Sequence, residues 1–126
     1  MRKEACIVVL IVPKNHTMVS LASIQDFASE IARRYSPEKI ILFGSQARGD
    51  ATEDSDVDML VIMDYEGMRA KKTAEIVCSI DPDFAVDLLI RSPMEVSDRL
   101  RVGDYFMQDM LDEGRLLYER GNTAVA

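Results

Sequence analysis

Three aspartates and a glycine-flanked turn are the parts of this sequence best suited to chemistry. Gly44-Ser45-Gln46-Ala47-Arg48-Gly49 follows the apolar run Ile40-Ile41-Leu42-Phe43, and Asp56-Val57-Asp58 begins seven residues after the turn. Gly44 and Gly49 allow the backbone to take positive φ and approach a ligand closely, which suits the turn's amides to holding phosphate oxygens. From Asp56 to Met63 the chain reads as a strand with alternating faces, so Asp56 and Asp58 share a side, about 6.6 Å apart along it. Ala85-Val86-Asp87-Leu88-Leu89-Ile90 reads as a second strand, nearly continuous in apolar residues, with Asp87 its only charged member.

Carboxylates gathered in this way need a counter-charge. With oxygens about 4 Å apart at an effective dielectric of about 20, two of them repel by about 4 kcal/mol. Mg²⁺ answers that repulsion, being a hard ion held by one or two carboxylates together with substrate phosphates. Asp87 fits the same logic, because an ionised acid in an apolar run needs a partner or a metal. Each feature alone has a plainer explanation. A Gly-Ser-x-x-x-Gly stretch is a common loop, Asp54-Ser55-Asp56 suits the turn before a strand, and Asp87 could face water from an edge strand. The conjunction of strand, turn, paired acids and a further strand with a lone acid is what points to a site.

The elements that must position these residues are legible from periodicity and punctuation. Ser20 is placed to cap a helix to about Arg34, with Leu21, Ile24, Ala28 and Ile31 as its apolar stripe and Pro37 beyond its end. A second helix is expected from Glu66 to Ile80, with Thr73, Ile76, Val77 and Ile80 on one side and Asp81-Pro82 as its stop. Ser92-Pro93-Met94-Glu95 has the form of a capping box with proline at the first helical position. Gly103 interrupts that helix, and Asp104 starts another whose apolar set is Tyr105, Phe106, Met107, Met110 and Leu111. Gly114 ends it before a short edge strand, Arg115-Leu116-Leu117-Tyr118-Glu119. Strands alternating with helices predict an α/β (α+β) fold, a small mixed sheet covered mainly on one face, with the motif acids on the other.

At 126 residues the chain has room for one domain and none for a second that would grip a substrate. The expected division is an N-terminal extension at 1–19, the functional domain at 20–119 and a tail at 120–126. Fifteen Lys and Arg against 22 Asp and Glu give a net charge of −7. Such a balance repels a phosphate backbone, so a long nucleic-acid substrate is not expected, whereas a basic protein partner is compatible with it. Cys6 and Cys78 are too few and too far apart for a disulfide framework or a zinc site, which predicts buried free thiols in a reducing compartment, the cytoplasm. His16 is solitary and reads as a loop residue, and the eight methionines read mostly as core filler. The apolar run Ala5–Val12 is too short to span a bilayer and lacks a following cleavage signal, so no membrane association is expected. It reads as an added strand, or as sequence upstream of a true start at Met18.

Residues 44 to 58, Gly-Ser-Gln-Ala-Arg-Gly-Asp-Ala-Thr-Glu-Asp-Ser-Asp-Val-Asp, closely resemble the signature of the polymerase-β-like nucleotidyltransferases. Within that superfamily the chain is similar to the minimal nucleotidyltransferases, small proteins often encoded beside a HEPN-domain partner, and the resemblance covers roughly residues 20 to 118. The resemblance implies that Gly44 and Ser45 contact the β- and γ-phosphates of a nucleotide, and that Arg48 steadies the phosphates or, with Gly49, the turn. It further implies that Asp56 and Asp58 hold the metals bridging the triphosphate. Asp87 would ligate the catalytic metal and help deprotonate an acceptor hydroxyl. The implied cofactors are Mg²⁺, as two ions, with ATP as donor.

Three readings follow. The first is AMP transfer from ATP to a hydroxyl, most readily a tyrosine of a HEPN-type toxin, which would make the chain an antitoxin. The second is a non-catalytic subunit that neutralises a toxin by binding it. The third is a small-molecule nucleotidyltransferase of the antibiotic-modifying kind, needing another copy or subunit to complete its acceptor site. Homo- and hetero-oligomers are both compatible with the chain.

Overall fold

Ser20 begins the first element by accepting a hydrogen bond from the Ser23 amide at 3.1 Å, in a computed structural model that describes residues 18–121. The helix it caps, α1, runs Leu21–Tyr35 and closes at Ser36, which adopts the left-handed conformation. Ile24, Phe27, Ala28 and Ile31 form its buried stripe, spaced as one helix face requires. Leu21, expected in that stripe, is instead 51% exposed. It is the first residue of the helix, and Phe27 joins the buried face in its place.

The chain continues through strand β1 (Lys39–Phe43), the single turn of helix α2 (Ser45–Arg48), strand β2 (Val57–Ile62), helix α3 (Arg69–Ile80), strand β3 (Val86–Arg91), helices α4 (Pro93–Arg101) and α5 (Tyr105–Glu113), and strand β4 (Arg115–Glu119). The four strands form one sheet in the order β3-β2-β1-β4. β1 is antiparallel to both β2 and β4, whereas β2 and β3 are parallel, joined by the crossover helix α3. This is the mixed α/β fold that the sequence pattern predicts. The capping box is present, with Ser92 Oγ accepting from the Glu95 amide at 3.1 Å and Glu95 Oε1 accepting from the Ser92 amide at 2.8 Å. Gly103 and Asp104 divide α4 from α5, and β4 forms a sheet edge as expected.

The two faces of the sheet are covered differently. On one, Ile40, Leu42, Val57, Met59, Val61 and Ile90 are buried with Ile24 and Ile31 of α1 and Ile76 of α3. On the other, α4 and α5 set Val96, Met107 and Met110 against Ile41, Leu60 and Ile62. The second face is thus less bare than expected, and Asp58 and Asp87 open onto a cleft between the sheet and α5.

Several local expectations are corrected. α3 starts at Arg69, not Glu66, because Gly67 takes positive φ and Met68 offers no capping side chain. Of the α5 apolar set, Met107 and Met110 are buried while Tyr105 and Phe106 are exposed. No cysteine among the described residues is free. Cys78 is half-buried and disulfide-bonded, which overturns the expectation of a free thiol there, since one bridge needs only that two sulfurs meet in space, however distant in sequence. Cys6, His16 and the apolar run Ala5–Val12 lie outside the described residues. Among the described residues no helix is long and apolar enough to cross a membrane.

Candidate active site

Cross-strand register brings the acids together. Phe43 at the end of β1 pairs with Asp58 of β2, and Asp58 pairs with Asp87 of β3. Partners in register point to the same side of a sheet, so Phe43, Asp58 and Asp87 form a row across three strands. Asp58 is half-buried, flanked in sequence by the fully buried Val57 and Met59, and Asp87 is exposed. Among the described residues β3 is an edge strand, with Ala85 exposed and Val86 only partly covered, which corrects the expectation of a buried strand. Asp87 is therefore not forced into an apolar interior; its interest lies in its register with Asp58.

Gly44 takes φ +75° and leads directly into α2. A Cβ built on Gly44 would collide with the Asp58 carboxyl group, Oδ2 above all. Glycine is thus required twice, for the backbone conformation and for the close approach of the turn to an acid. Hydrogen bonding within the turn begins with Ala47 N–H and Arg48 N–H, both donated to the Gly44 carbonyl at 3.1 Å. The amides of Ser45 and Gln46 precede that ladder and donate nothing to it. Gly49 takes φ +87° and returns its N–H to the Ser45 carbonyl at 3.0 Å, closing the turn. Arg48 is exposed, with Nε 3.3 Å from Asp50 Oδ2, a contact of little energetic weight at the surface.

Phe43, Gly44, Ser45, Arg48, Asp58 and Asp87 line one cleft of about 600 Å³, a size typical of small-molecule sites. Burial pushes the Asp58 carboxyl above the usual aspartate value, Asp87 and then Asp56 add repulsion, and Arg48 opposes them. Asp56 is exposed and stands just before β2, which begins at Val57, so it belongs to the approach to the strand and is not among the residues lining the cleft. No three His, Cys, Asp or Glu side chains among the described residues stand close enough to hold one ion as they are. Asp58 and Asp87 stand in register and line the cleft together, and Asp56 acts on Asp58 through its field. An all-carboxylate donor set, with one member destabilised by its neighbours' charge, fits a hard divalent cation.

The opposite wall of the cleft comes from α5, where Phe106, Asp109, Met110 and Glu113 line it. Sequence reasoning missed Asp109 and Glu113 as cleft residues. Their spacing from Phe106 places them on one helical face, but nothing in the pattern says that this face looks across at β2.

A family model for the nucleotidyltransferase domain matches residues 24–117, a span containing the turn and all three aspartates. The chain belongs to the nucleotidyltransferase-domain family. It is 31% identical over 110 residues, 76% of its own length and 95% of the relative's, to the Methanocaldococcus jannaschii protein named "Putative protein adenylyltransferase MJ0604". The fold of this nucleotidyltransferase is also that of a Sulfolobus solfataricus crystal structure described as "a putative nucleotidyltransferase", at a TM-score of 0.55 and 24% identity, over 79% of this chain and 80% of that one. A structure described as a toxin-antitoxin with AMP-PNP superposes over 77% of this chain and 74% of the other, at 21% identity and a TM-score of 0.49.

Proposed function

We propose that this nucleotidyltransferase transfers AMP from ATP to a hydroxyl of a partner protein in a Mg²⁺-dependent reaction. The acceptor is a tyrosine of a HEPN-type toxin, which the modification disarms, so that the chain serves as antitoxin. The observation that carries the catalytic part is the register of Asp58 with Asp87 beside a turn whose glycine is fitted against the Asp58 carboxyl. The relative named a protein adenylyltransferase supports a protein acceptor and an adenylyl donor. The toxin rests on the resemblance of residues 44 to 58 to the minimal nucleotidyltransferases.

In this reading the free amides at Ser45 and Gln46, with the Ser45 hydroxyl, bind triphosphate oxygens, and Arg48 adds positive charge at the cleft wall. Asp58 and Asp87 would hold Mg²⁺, with Asp56 drawn in from the approach to the strand. When bound, a pair of such ions stabilises charge on the attacking and departing oxygens. The acceptor hydroxyl loses its proton toward Asp87, at the open edge of the sheet. Its oxygen then forms a bond to the α-phosphorus as the bond to the bridging oxygen breaks, and pyrophosphate departs. The chain's own contribution is position and field, which account for most of the catalysis in such a reaction.

The test is to purify the chain with the protein encoded beside it, add ATP and Mg²⁺, and weigh the partner. A mass step of one adenylyl unit per AMP is expected with the wild-type chain, and none with Asp56→Ala or Asp58→Ala, both of which should remain folded. Undiminished transfer by either variant refutes the assignment, and an unmodified partner that is nonetheless neutralised would leave a binding subunit.

A further inference from the structure

Phe106 is 59% exposed on the first turn of α5, yet its ring is held edge-to-face against Phe43, centroids 6.0 Å apart at 83°. Phe43 directly precedes Gly44 and stands in register with Asp58. The aromatic pair therefore extends the row Asp87, Asp58, Phe43 across the sheet and lifts its far end into the cleft, which Phe106 also lines. Resting on the nucleotidyltransferase reading, we infer that Phe106 is the stacking platform for the base of the bound nucleotide. The row then has a direction, with the base at the Phe106 end, the triphosphate at Gly44 and Ser45, and the acceptor entering at Asp87 on the exposed edge strand.

The physical case is one of position and unused surface. A ring held by one neighbour and otherwise open to solvent keeps its conformation without a ligand and offers surface to a second flat partner. Stacking of a base on an aromatic side chain tolerates every base, because each has a π face, so this platform supplies affinity and orientation with little base selectivity. Its pin to Phe43, the residue before the phosphate turn, fixes the distance between base and phosphates through one residue of backbone.

The experiment measures binding directly, so that it does not depend on transfer. Phe106→Ala is expected to weaken ATP binding by about 5- to 150-fold, to leave inorganic triphosphate binding unchanged, and to leave the KM for the acceptor protein unchanged. The chain contains no tryptophan, so Phe106→Trp creates a single reporter, whose fluorescence ATP should quench and inorganic triphosphate should not. An unchanged ATP affinity in Phe106→Ala overturns the proposal, as does an equal loss for ATP and inorganic triphosphate. A raised acceptor KM with intact ATP binding also overturns it, making Phe106 a protein-docking residue. Failure of the wild-type chain to bind ATP at all would instead sink the reading on which the proposal stands.

Discussion

Along β2, Val57, Met59 and Val61 are fully buried in the core that α1 and α3 cover, whereas Asp58, between the first two, faces a cleft, and burial together with the charges of Asp87 and Asp56 raises its cost of ionisation. The second face repeats the contrast along its own length: Leu60 and Ile62 are sealed by α4 and α5, and Asp58 opens onto the cleft that α5 walls on its other side. One strand thus carries both the stabilising side of the fold and a destabilised charge. The difference teaches where stability and function separate. The packed face supplies the free energy that lets the other hold acids and a positive-φ glycine in a fixed arrangement, as strained or repulsive groups persist only where surroundings over-determine them.

That separation can be broken from either side. Gly44→Ala acts on the functional side, forcing both the backbone and the Asp58 carboxyl to move. AMP transfer should fall about 100-fold, the scale on which a misplacement of about 1 Å acts, with a smaller loss of stability; transfer at the wild-type rate would mean that the close approach is incidental. Leu42→Ala acts on the packed side, deleting a fully buried side chain. It should cost about 2–5 kcal/mol in denaturant unfolding while leaving transfer per folded molecule unchanged.

A finer test uses pH. The folded-state value of Asp58 is raised, so its neutral form is the one the fold favours. Its contribution is fully present below the unfolded aspartate value of about 3.9 and is lost as pH rises through the raised folded value. Without divalent metal, Asp58→Asn should therefore melt near the wild-type temperature in strong acid and above it at neutral pH. A variant that melts lower than wild type at neutral pH would contradict the sign. The smallest effect is expected far from the cleft, where Ser92→Ala removes one capping hydrogen bond. About 1 kcal/mol of stability should be lost and transfer retained.

Much of this was legible in the sequence because the signals were local. Ser20, Ser92 and Asp104 each cap a helix where predicted, since a cap needs only its own next three residues. The turn at Gly44 and the alternation around Asp58 were readable for the same reason. What escaped depends on neighbours distant in the chain. Nothing around Asp87 says that β3 lies at an edge, because sheet order is set by how crossovers pack. The place of Asp109 and Glu113 on the cleft wall depends on how α5 packs over β1. The state of Cys78 depends on a second sulfur, and the start of α3 on the backbone sign at Gly67, which favoured a later beginning than the apolar pattern implied.

The central claim is that Asp58 and Asp87 act as a pair beside the phosphate turn, and paramagnetic Mn²⁺ tests it most directly. With a non-hydrolysable ATP analogue present, the wild-type chain should remove free Mn²⁺ from the resonance spectrum, and both Asp58→Asn and Asp87→Asn should largely release it. An Asp87→Asn chain that retains Mn²⁺ as the wild type does would contradict the pairing.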